Sequence, residues 1–135
     1  MGVSVLVDSN VYIGLLRRSM DPVKVLGDWI GEGDLATCGM VRLEVERGLK
    51  VEKMRRSLGG FFNVLINVPT SNKIWEDATS LAWTLDRCGV TLPAQDILIA
   101  TCAKTLGAAV LTDDAHFDEI IGLPVLKPAQ ELEGL

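Results

Sequence analysis

Short apolar runs alternate with amphipathic stretches along the chain, and this alternation limits the fold more than any other feature of the sequence. Residues 3–7 form an apolar run rich in β-branched side chains, as expected for a strand that is buried on both faces. Further strands are predicted at residues 35–38, 64–68, 109–111 and 125–126. Prolines on both sides of the last run place it at the edge of a sheet.

The predicted helices share apolar residues at helical spacing and recognisable ends, and they cover residues 11–17, 22–30, 40–49, 52–62, 72–87 and 93–106. Gly31 is expected to end the second helix. Strands that alternate with helices in this way form a parallel sheet between helices. We therefore predict an α/β fold: one domain spanning residues 1–135, with a central parallel sheet of four to five strands flanked by helices on both faces.

The composition favours an enzyme over a protein that coats nucleic acid. The net charge is −5, whereas proteins that bind nucleic acid without specificity are usually basic. Clustered carboxylates remain compatible with nucleic acid when bound cations offset their charge. The three cysteines, Cys38, Cys88 and Cys102, fit neither a disulfide framework nor a metal motif. We interpret them as reduced core residues of a cytoplasmic protein that has no contact with a membrane.

Acidic side chains recur where predicted strands give way to helices. Asp8 follows the first strand, and Glu44 lies near the start of the helix after the second strand. Asp96 lies in the first turn of the helix that begins at residue 93, and Asp113 and Asp114 follow the fourth strand. Ligands of open parallel sheets bind outside the carboxyl ends of the strands. We therefore expect these carboxylates to line one crevice.

A divalent cation is the simplest partner for such a cluster, because neighbouring carboxylates repel each other and are costly to bury unpaired. We expect only oxygen donors, which indicates Mg²⁺ or Mn²⁺. The single histidine, His116, is expected on the surface, so a zinc site is disfavoured. Taken singly, each acid has a simpler structural interpretation as a helix cap, a solvated residue or a turn former.

Four segments resemble, in order, the motifs of PIN-domain ribonucleases. They are residues 5–11 (VLVDSNV), 44–48 (EVERG), 93–100 (PAQDILIA) and 111–117 (LTDDAHF). The last segment is similar to the pattern Thr-x-Asp-x-x-Phe of that family. The resemblance covers nearly the whole chain. The length and layout of the chain are most similar to those of the VapC-like toxins of bacterial and archaeal toxin–antitoxin pairs.

The resemblance implies that Asp8, Glu44, Asp96 and Asp114 form the catalytic quartet and hold one or two Mg²⁺ or Mn²⁺ ions. Asp8 and Asp96 are the expected direct ligands, whereas Glu44 and Asp114 either ligate, act through water or help to activate the nucleophile. In the mechanism of that family, the ions polarise the phosphodiester and activate a water molecule, so no protein nucleophile is needed.

Supporting positions are carried over in the same way. Asn10 matches a position with a small polar side chain near the metal, and Thr112 matches the hydroxyl of the fourth motif. Asp113 falls on a variable position and ranks below Asp114 as a ligand. Val41 departs from the pattern, because many relatives have serine or threonine there.

The densest basic stretch has two interpretations of equal weight. Arg47, Lys50 and Lys53, followed by Arg55 and Arg56, form either a track for RNA phosphates or a solvated helix face.

The resemblance also implies a homodimer and a small antitoxin partner. The apolar faces of the helices at residues 22–30 and 52–62 are candidate contact surfaces. We expect Trp29, Trp75 and Trp83 to pack in the core or at a subunit contact.

The sequence therefore predicts a Mg²⁺- or Mn²⁺-dependent endoribonuclease, the toxin of a VapBC-type pair. One alternative is a PIN-like RNA-processing nuclease outside such a pair, and another is a PIN-like scaffold without activity. A dehalogenase-like phosphatase needs an acid at the position of Asn10. A receiver-type signalling domain needs a lysine near the pocket, where neither Lys104 nor Lys127 is expected.

Overall fold

A computed structural model describes residues 3–30 and 33–132. Its five strands are β1 (Ser4–Val7), β2 (Asp34–Cys38), β3 (Ile66–Val68), β4 (Ala109–Leu111) and β5 (Val125–Leu126). Its α-helices are α1 (Ser9–Arg17), α2 (Pro22–Ile30), α3 (Gly39–Arg47), α4 (Glu52–Val64), α5 (Asn72–Arg87), α6 (Ala94–Leu106) and α7 (Pro128–Glu131). A 3₁₀ helix covers Ala115–Glu119. The predicted helix end at Gly31 lies outside the described residues.

The five strands form one parallel sheet with the order β3-β2-β1-β4-β5. The first strand of the chain is therefore the central one: Leu6 pairs with Ala36 of β2 on one side and with Val110 of β4 on the other. The fifth strand lies at an edge, as its flanking prolines predict. The α/β fold with a parallel sheet is confirmed.

Helices cover both faces of the sheet because the direction in which successive strands are added to the sheet changes once. It runs outward from β1 through β2 to β3 and then crosses back to β4. Right-handed crossovers place α1 to α4 on one face and the helices after β3 on the other. In agreement, α1 packs on α3, and α5 packs on α6.

The core is built from the central strand and the helices that cover it. Val5, Leu6 and Val7 are completely buried. Helix α6 is buried along its middle from residue 97 to 103, because it lies between α5 and the sheet. This burial fixes the start of α6, and with it Asp96, relative to the end of β1. Within the described residues, no helix is long and apolar enough to cross a bilayer.

One strand boundary was predicted too early. Val64 is the last residue of α4 and is exposed, whereas β3 comprises only Ile66–Val68. A short apolar run is compatible with either a helix or a strand. Helix α4 buries Leu58 and Phe62 on one face and carries on for one half-turn beyond them.

One expectation about buried side chains is only partly correct. Cys38 and Cys102 are buried free thiols, but Cys88, which caps the end of α5, is exposed. Trp29 packs against the core, whereas Trp75 and Trp83 are exposed on α5. Helix α5 needs only one face for its contact with α6, so its tryptophans project into solvent.

Tyr12 gives a test of the core. Its ring packs edge-to-face on Phe62 with a centroid distance of 5.1 Å, and its buried hydroxyl has no hydrogen-bond partner among the described residues. Tyr12→Phe should raise the free energy of unfolding by about 1 kcal/mol, because it removes an unpaired buried polar atom and keeps the ring. Chemical denaturation measures the change. A fall of similar size would mean that the hydroxyl has a partner.

Candidate active site

Asp8 is a buried carboxylate at the carboxyl end of the central strand. Its backbone N–H donates to the carbonyl of Leu111 at 2.9 Å, which continues the pairing of β1 with β4. Its side chain begins α1, where Oδ1 accepts from the N–H of Ser9 at 2.8 Å. The other oxygen, Oδ2, accepts from Thr112 Oγ1 at 2.8 Å. Asp8 is therefore both a helix cap and a charge that the fold holds out of water, with 3% of its surface exposed.

The surroundings of Asp8 make its ionised form costly. Burial raises the pKa of this carboxyl to about 6, and the charges of Asp96 and Glu44 add to the increase. Hydrogen bonds from Thr112 and from the N–H of Ser9 act in the opposite direction. At pH 7 the carboxylate is largely ionised, so a cation nearby would relieve both the desolvation and the repulsion.

Ser9 joins Asp8 to Glu44. Its hydroxyl lies 3.2 Å from Glu44 Oε1 and 3.4 Å from Asp8 Oδ1, so it can donate to either carboxylate. Sequence reasoning did not select Ser9. Val41, which replaces the serine or threonine of many relatives, is buried in the core. The hydroxyl that Val41 lacks is supplied to Glu44 by the residue after Asp8.

Thr112 organises the opposite side of the site. Its hydroxyl donates to Asp8 and accepts from the side-chain amide of Asn10 at 3.2 Å and from the N–H of Asp114 at 3.0 Å. Asp113 contributes its N–H, which donates to Asn10 Oδ1 at 3.3 Å, whereas its side chain is exposed. The side chain directed at the acidic cluster is that of Asp114, in the order expected from the sequence.

His116 lies on the acidic cluster, although no histidine was expected near the carboxylates. Its Nδ1 is 2.9 Å from Asp96 Oδ2 and 3.1 Å from Asp114 Oδ1. The hydrogen bond to Asp96 raises the pKa of the imidazole, and burial raises the pKa of Asp96. The His116 side chain is about half exposed, so the surface position was predicted correctly and its contacts were not. The only available signal was its spacing of two residues from Asp114, which caps the N–H of His116 at 2.9 Å.

The donor set fits a divalent cation. Ligand atoms of Asp96, Asp114 and His116 lie within 4.8 Å of one another. Asp8 is linked to the same group through Thr112 and Asp114, and the charge of Asp96 contributes to the raised pKa of Asp8. The carboxylate oxygens of this set are the donors that Mg²⁺ and Mn²⁺ sites use.

The three basic residues proposed for RNA lie away from this cluster. Arg47 ends α3, and Lys50 and Lys53 follow it, all three with exposed side chains. Asp8 begins α1, whereas the basic residues lie by the C-terminal ends of α1 and α3. Each of these helices has nine residues, which corresponds to a length of about 13 Å.

The fold and the cluster together define an α/β domain that holds carboxylates at the carboxyl edge of a parallel sheet. A family model described as "PIN domain" matches residues 5–123. The chain therefore belongs to the PIN domain family. PIN domains are nucleases that use divalent metals, so the family assigns the chain to the hydrolases.

Solved structures share the fold at low sequence identity. A chain of VapBC2 from Rickettsia felis, bound to a DNA fragment from their promoter, has a TM-score of 0.76 and 21% identity, covering 93% of this chain and 98% of that one. DNA-bound VapBC from Salmonella typhimurium has a TM-score of 0.76 and 18% identity with the same coverage. FitAcB from Neisseria gonorrhoeae has a TM-score of 0.72 and 23% identity, again with 93% and 98%. Among curated proteins, the comparison finds no match.

The buried charge of Asp8 predicts how the stability of the metal-free protein depends on pH. Because the folded pKa lies above the unfolded value of 3.8, the stabilising contribution is complete below pH 4 and is lost as the pH rises through about 6. Asp8→Asn removes this loss. In EDTA, its free energy of unfolding relative to the wild type should therefore rise between pH 4 and 7, by up to about 3 kcal/mol.

Urea denaturation at several pH values measures this difference. Asp34→Asn is the matched control, since Asp34 is exposed at the amino end of β2. It therefore lies at the opposite end of the parallel strands from Asp8. A constant offset for Asp8→Asn would reflect only the altered hydrogen bonds to Thr112 and Ser9. Such a result would contradict the buried charge.

Proposed function

We propose that this chain is a Mg²⁺- or Mn²⁺-dependent endoribonuclease and the cytoplasmic toxin of a VapBC-type toxin–antitoxin pair. The observation that supports the activity is that four acids from different elements come together, and one of them, Asp8, is buried. Asp8 is linked through Ser9 to Glu44 and through Thr112 to Asp114, and Asp114 shares His116 with Asp96. Fixed carboxylates of this kind serve phosphodiester hydrolysis better than structural support, because holding them together is costly without a cation.

Asp8 and Asp96 are the proposed direct metal ligands, with Asp114 beside them. A divalent ion at this position supplies a Lewis acid for the phosphate and lowers the pKa of water. Thr112 and the N–H of Ser9 fix the two oxygens of Asp8, so the carboxylate is held in one orientation. Glu44 is only half buried and is held by Ser9. We propose it as the group that accepts a proton from the attacking water, with direct or water-mediated metal binding as the alternatives.

The contacts of the cluster disfavour the rival functions. A dehalogenase-like phosphatase needs a second carboxylate at position 10, but Asn10 uses its amide to bond Thr112. A receiver-type domain needs a lysine at the cluster. Lys104 lies in the last turn of α6, at the opposite end from Asp96, and Lys127 pairs with Asp118 at 3.0 Å. The hydrogen bonds that join all four acids argue against an inactive scaffold.

Substitution of the proposed ligands tests the activity. Asp8→Asn and Asp96→Asn should each lower RNA cleavage at least about 100-fold, because asparagine preserves the volume but removes the anion that attracts the cation. EDTA should abolish cleavage by the wild type, and Mg²⁺ or Mn²⁺ should restore it. Cleavage of a labelled RNA pool measures both effects. Asp34→Asn, far from the cluster, is the control and should keep wild-type activity.

Two outcomes would revise the assignment. Full cleavage by both Asp8→Asn and Asp96→Asn would remove the nuclease function from this site. Loss of activity in Asp113→Asn together with retention in Asp114→Asn would shift the fourth motif by one residue.

A groove on the α1–α4 face supports the antitoxin partner. It has a volume of about 820 Å³ and lies between the C-terminal parts of α1 and α3 and the start of α4. Its floor is apolar, with Leu16, Val45 and Met54 among the lining residues, and its rim carries the cations Arg17, Lys50 and Lys53. We assign this groove to an apolar segment of the antitoxin with acidic flanks. Binding of an antitoxin in this groove would distinguish a toxin from a PIN-like nuclease that acts without an antitoxin.

The homodimer remains a proposal, with an additional candidate surface. The predicted faces on α2 and α4 expose few large apolar side chains, apart from Val51 and Val64 next to or at the ends of α4. Helix α5, in contrast, exposes Trp75 and Trp83, two turns apart on one side. This stripe is therefore the stronger candidate for a contact between copies.

Charge reversal on the rim of the groove tests the partner. The probe is the product of any small reading frame found directly upstream of the gene of this chain, co-expressed with it, and the absence of such a frame would count against the toxin. Lys50→Glu combined with Lys53→Glu should weaken the complex by roughly 100-fold, about tenfold per lost attraction. Lys104→Glu, an exposed lysine on α6, is the control. Unchanged binding, together with weaker binding of RNA, would assign Lys50 and Lys53 to the RNA track instead.

A further inference from the structure

One ring nitrogen of His116 lies close to two carboxylates. An imidazole Nδ1 carries at most one hydrogen, so it can make one good hydrogen bond as a donor. Two carboxylate oxygens nevertheless approach this atom, at 2.9 Å from Asp96 and 3.1 Å from Asp114. A single N–H can serve both oxygens only as a shared, three-centre bond, whereas a metal ion could take all three atoms as ligands.

The same two distances agree with neighbouring ligands of one ion. In an octahedral site with metal–ligand distances of about 2.1 Å, adjacent donor atoms lie about 3 Å apart. The pairs Nδ1–Asp96 Oδ2 and Nδ1–Asp114 Oδ1 both have this separation, and the three donor atoms all lie within 4.8 Å of one another. The nitrogen therefore lies at the spacing of a neighbouring ligand from both carboxylate oxygens.

The fold holds this nitrogen in place from the backbone side. Asp114 accepts the N–H of His116, and the N–H of Asp114 donates to Thr112. Phe117, the next residue, is completely buried and anchors the 3₁₀ helix in the core. His116 is thus partly exposed but carried on a fixed turn, as a ligand of a preorganised site should be.

We propose that His116 Nδ1 is a direct ligand of the ion bound by Asp96 and Asp114, and that it makes the site select transition ions such as Mn²⁺ over Mg²⁺. This inference rests on the proposed metal-dependent nuclease. Mg²⁺ strongly prefers oxygen donors, whereas first-row transition ions gain from an imidazole. A site with carboxylates alone would lack this basis for discrimination.

Metal binding without RNA tests the inference separately from activity. Titration calorimetry on the full chain, freed of metal, compares Mn²⁺ and Mg²⁺ for the wild type and His116→Ala. The variant should lose Mn²⁺ affinity about tenfold or more, and Mg²⁺ affinity less than about threefold. Pulsed electron paramagnetic resonance of bound Mn²⁺ should detect a coupled ligand nitrogen in the wild type and none in the variant. Glu119→Gln, an exposed acid of the same 3₁₀ helix, should behave as the wild type.

Several results would overturn the proposal. They are equal losses for both ions, unchanged affinities, tighter binding of both ions by His116→Ala, and no nitrogen coupling in the wild type. Asp96→Asn separates this failure from failure of the proposed function. If Mn²⁺ binding depends on Asp96 but not on His116, the nuclease site stands and the histidine is no ligand. If the wild type binds neither ion, the metal-dependent function itself fails.

Discussion

The burial of one carboxylate at the end of the central strand shapes the rest of the site. Asp8 follows three completely buried apolar residues, and its own side chain is also buried. Its charge therefore lies at the end of the central strand with almost no access to water. The fold stabilises this charge with the hydroxyl of Thr112 and the N–H of Ser9. These two bonds do not fully offset the cost of burial, since the pKa of the carboxyl stays raised at about 6. The remaining cost favours the binding of a cation at this position.

The order of the strands explains why acids distant in sequence meet here. Because β1 is central, its carboxyl end adjoins the ends of both β2 and β4. Glu44 comes from the helix after β2, and Asp114 from the turn after β4. Asp96 arrives from the opposite face of the sheet, on the first turn of the buried helix α6. The strand order is thus as necessary for the cluster as the acids themselves.

The sequence was sufficient for the five strands and for the six longer helices, but not for the short 3₁₀ helix, for α7 or for the contacts between side chains. Apolar periodicity predicted the parallel sheet and the limits of α5, and the flanking prolines predicted the edge position of β5, because these depend on local pattern. It extended β3 back to Val64, where pattern cannot separate a helix end from a strand. Ser9 and His116 were missed as members of the cluster, since their contacts depend on how β1, α3 and the 3₁₀ helix are brought together. The exposure of Cys88 and of Trp83 likewise depends on which face of α5 finds a neighbour.

The long span of the bonds around Thr112 has a consequence for synthesis of the chain. The bond from Thr112 to Asp8 joins residues 104 positions apart, and the bond from Asn10 to Thr112 spans 102. The central strand therefore remains without its β4 neighbour while the ribosome adds most of the polypeptide, and domains of this kind generally fold as units. Until residues 109–117 leave the exit tunnel, Asp8 has neither its hydroxyl partner nor Asp114 beside it. An N-terminal fragment that stops before residue 109 consequently lacks the hydroxyl and the carboxylate that complete the cluster around Asp8.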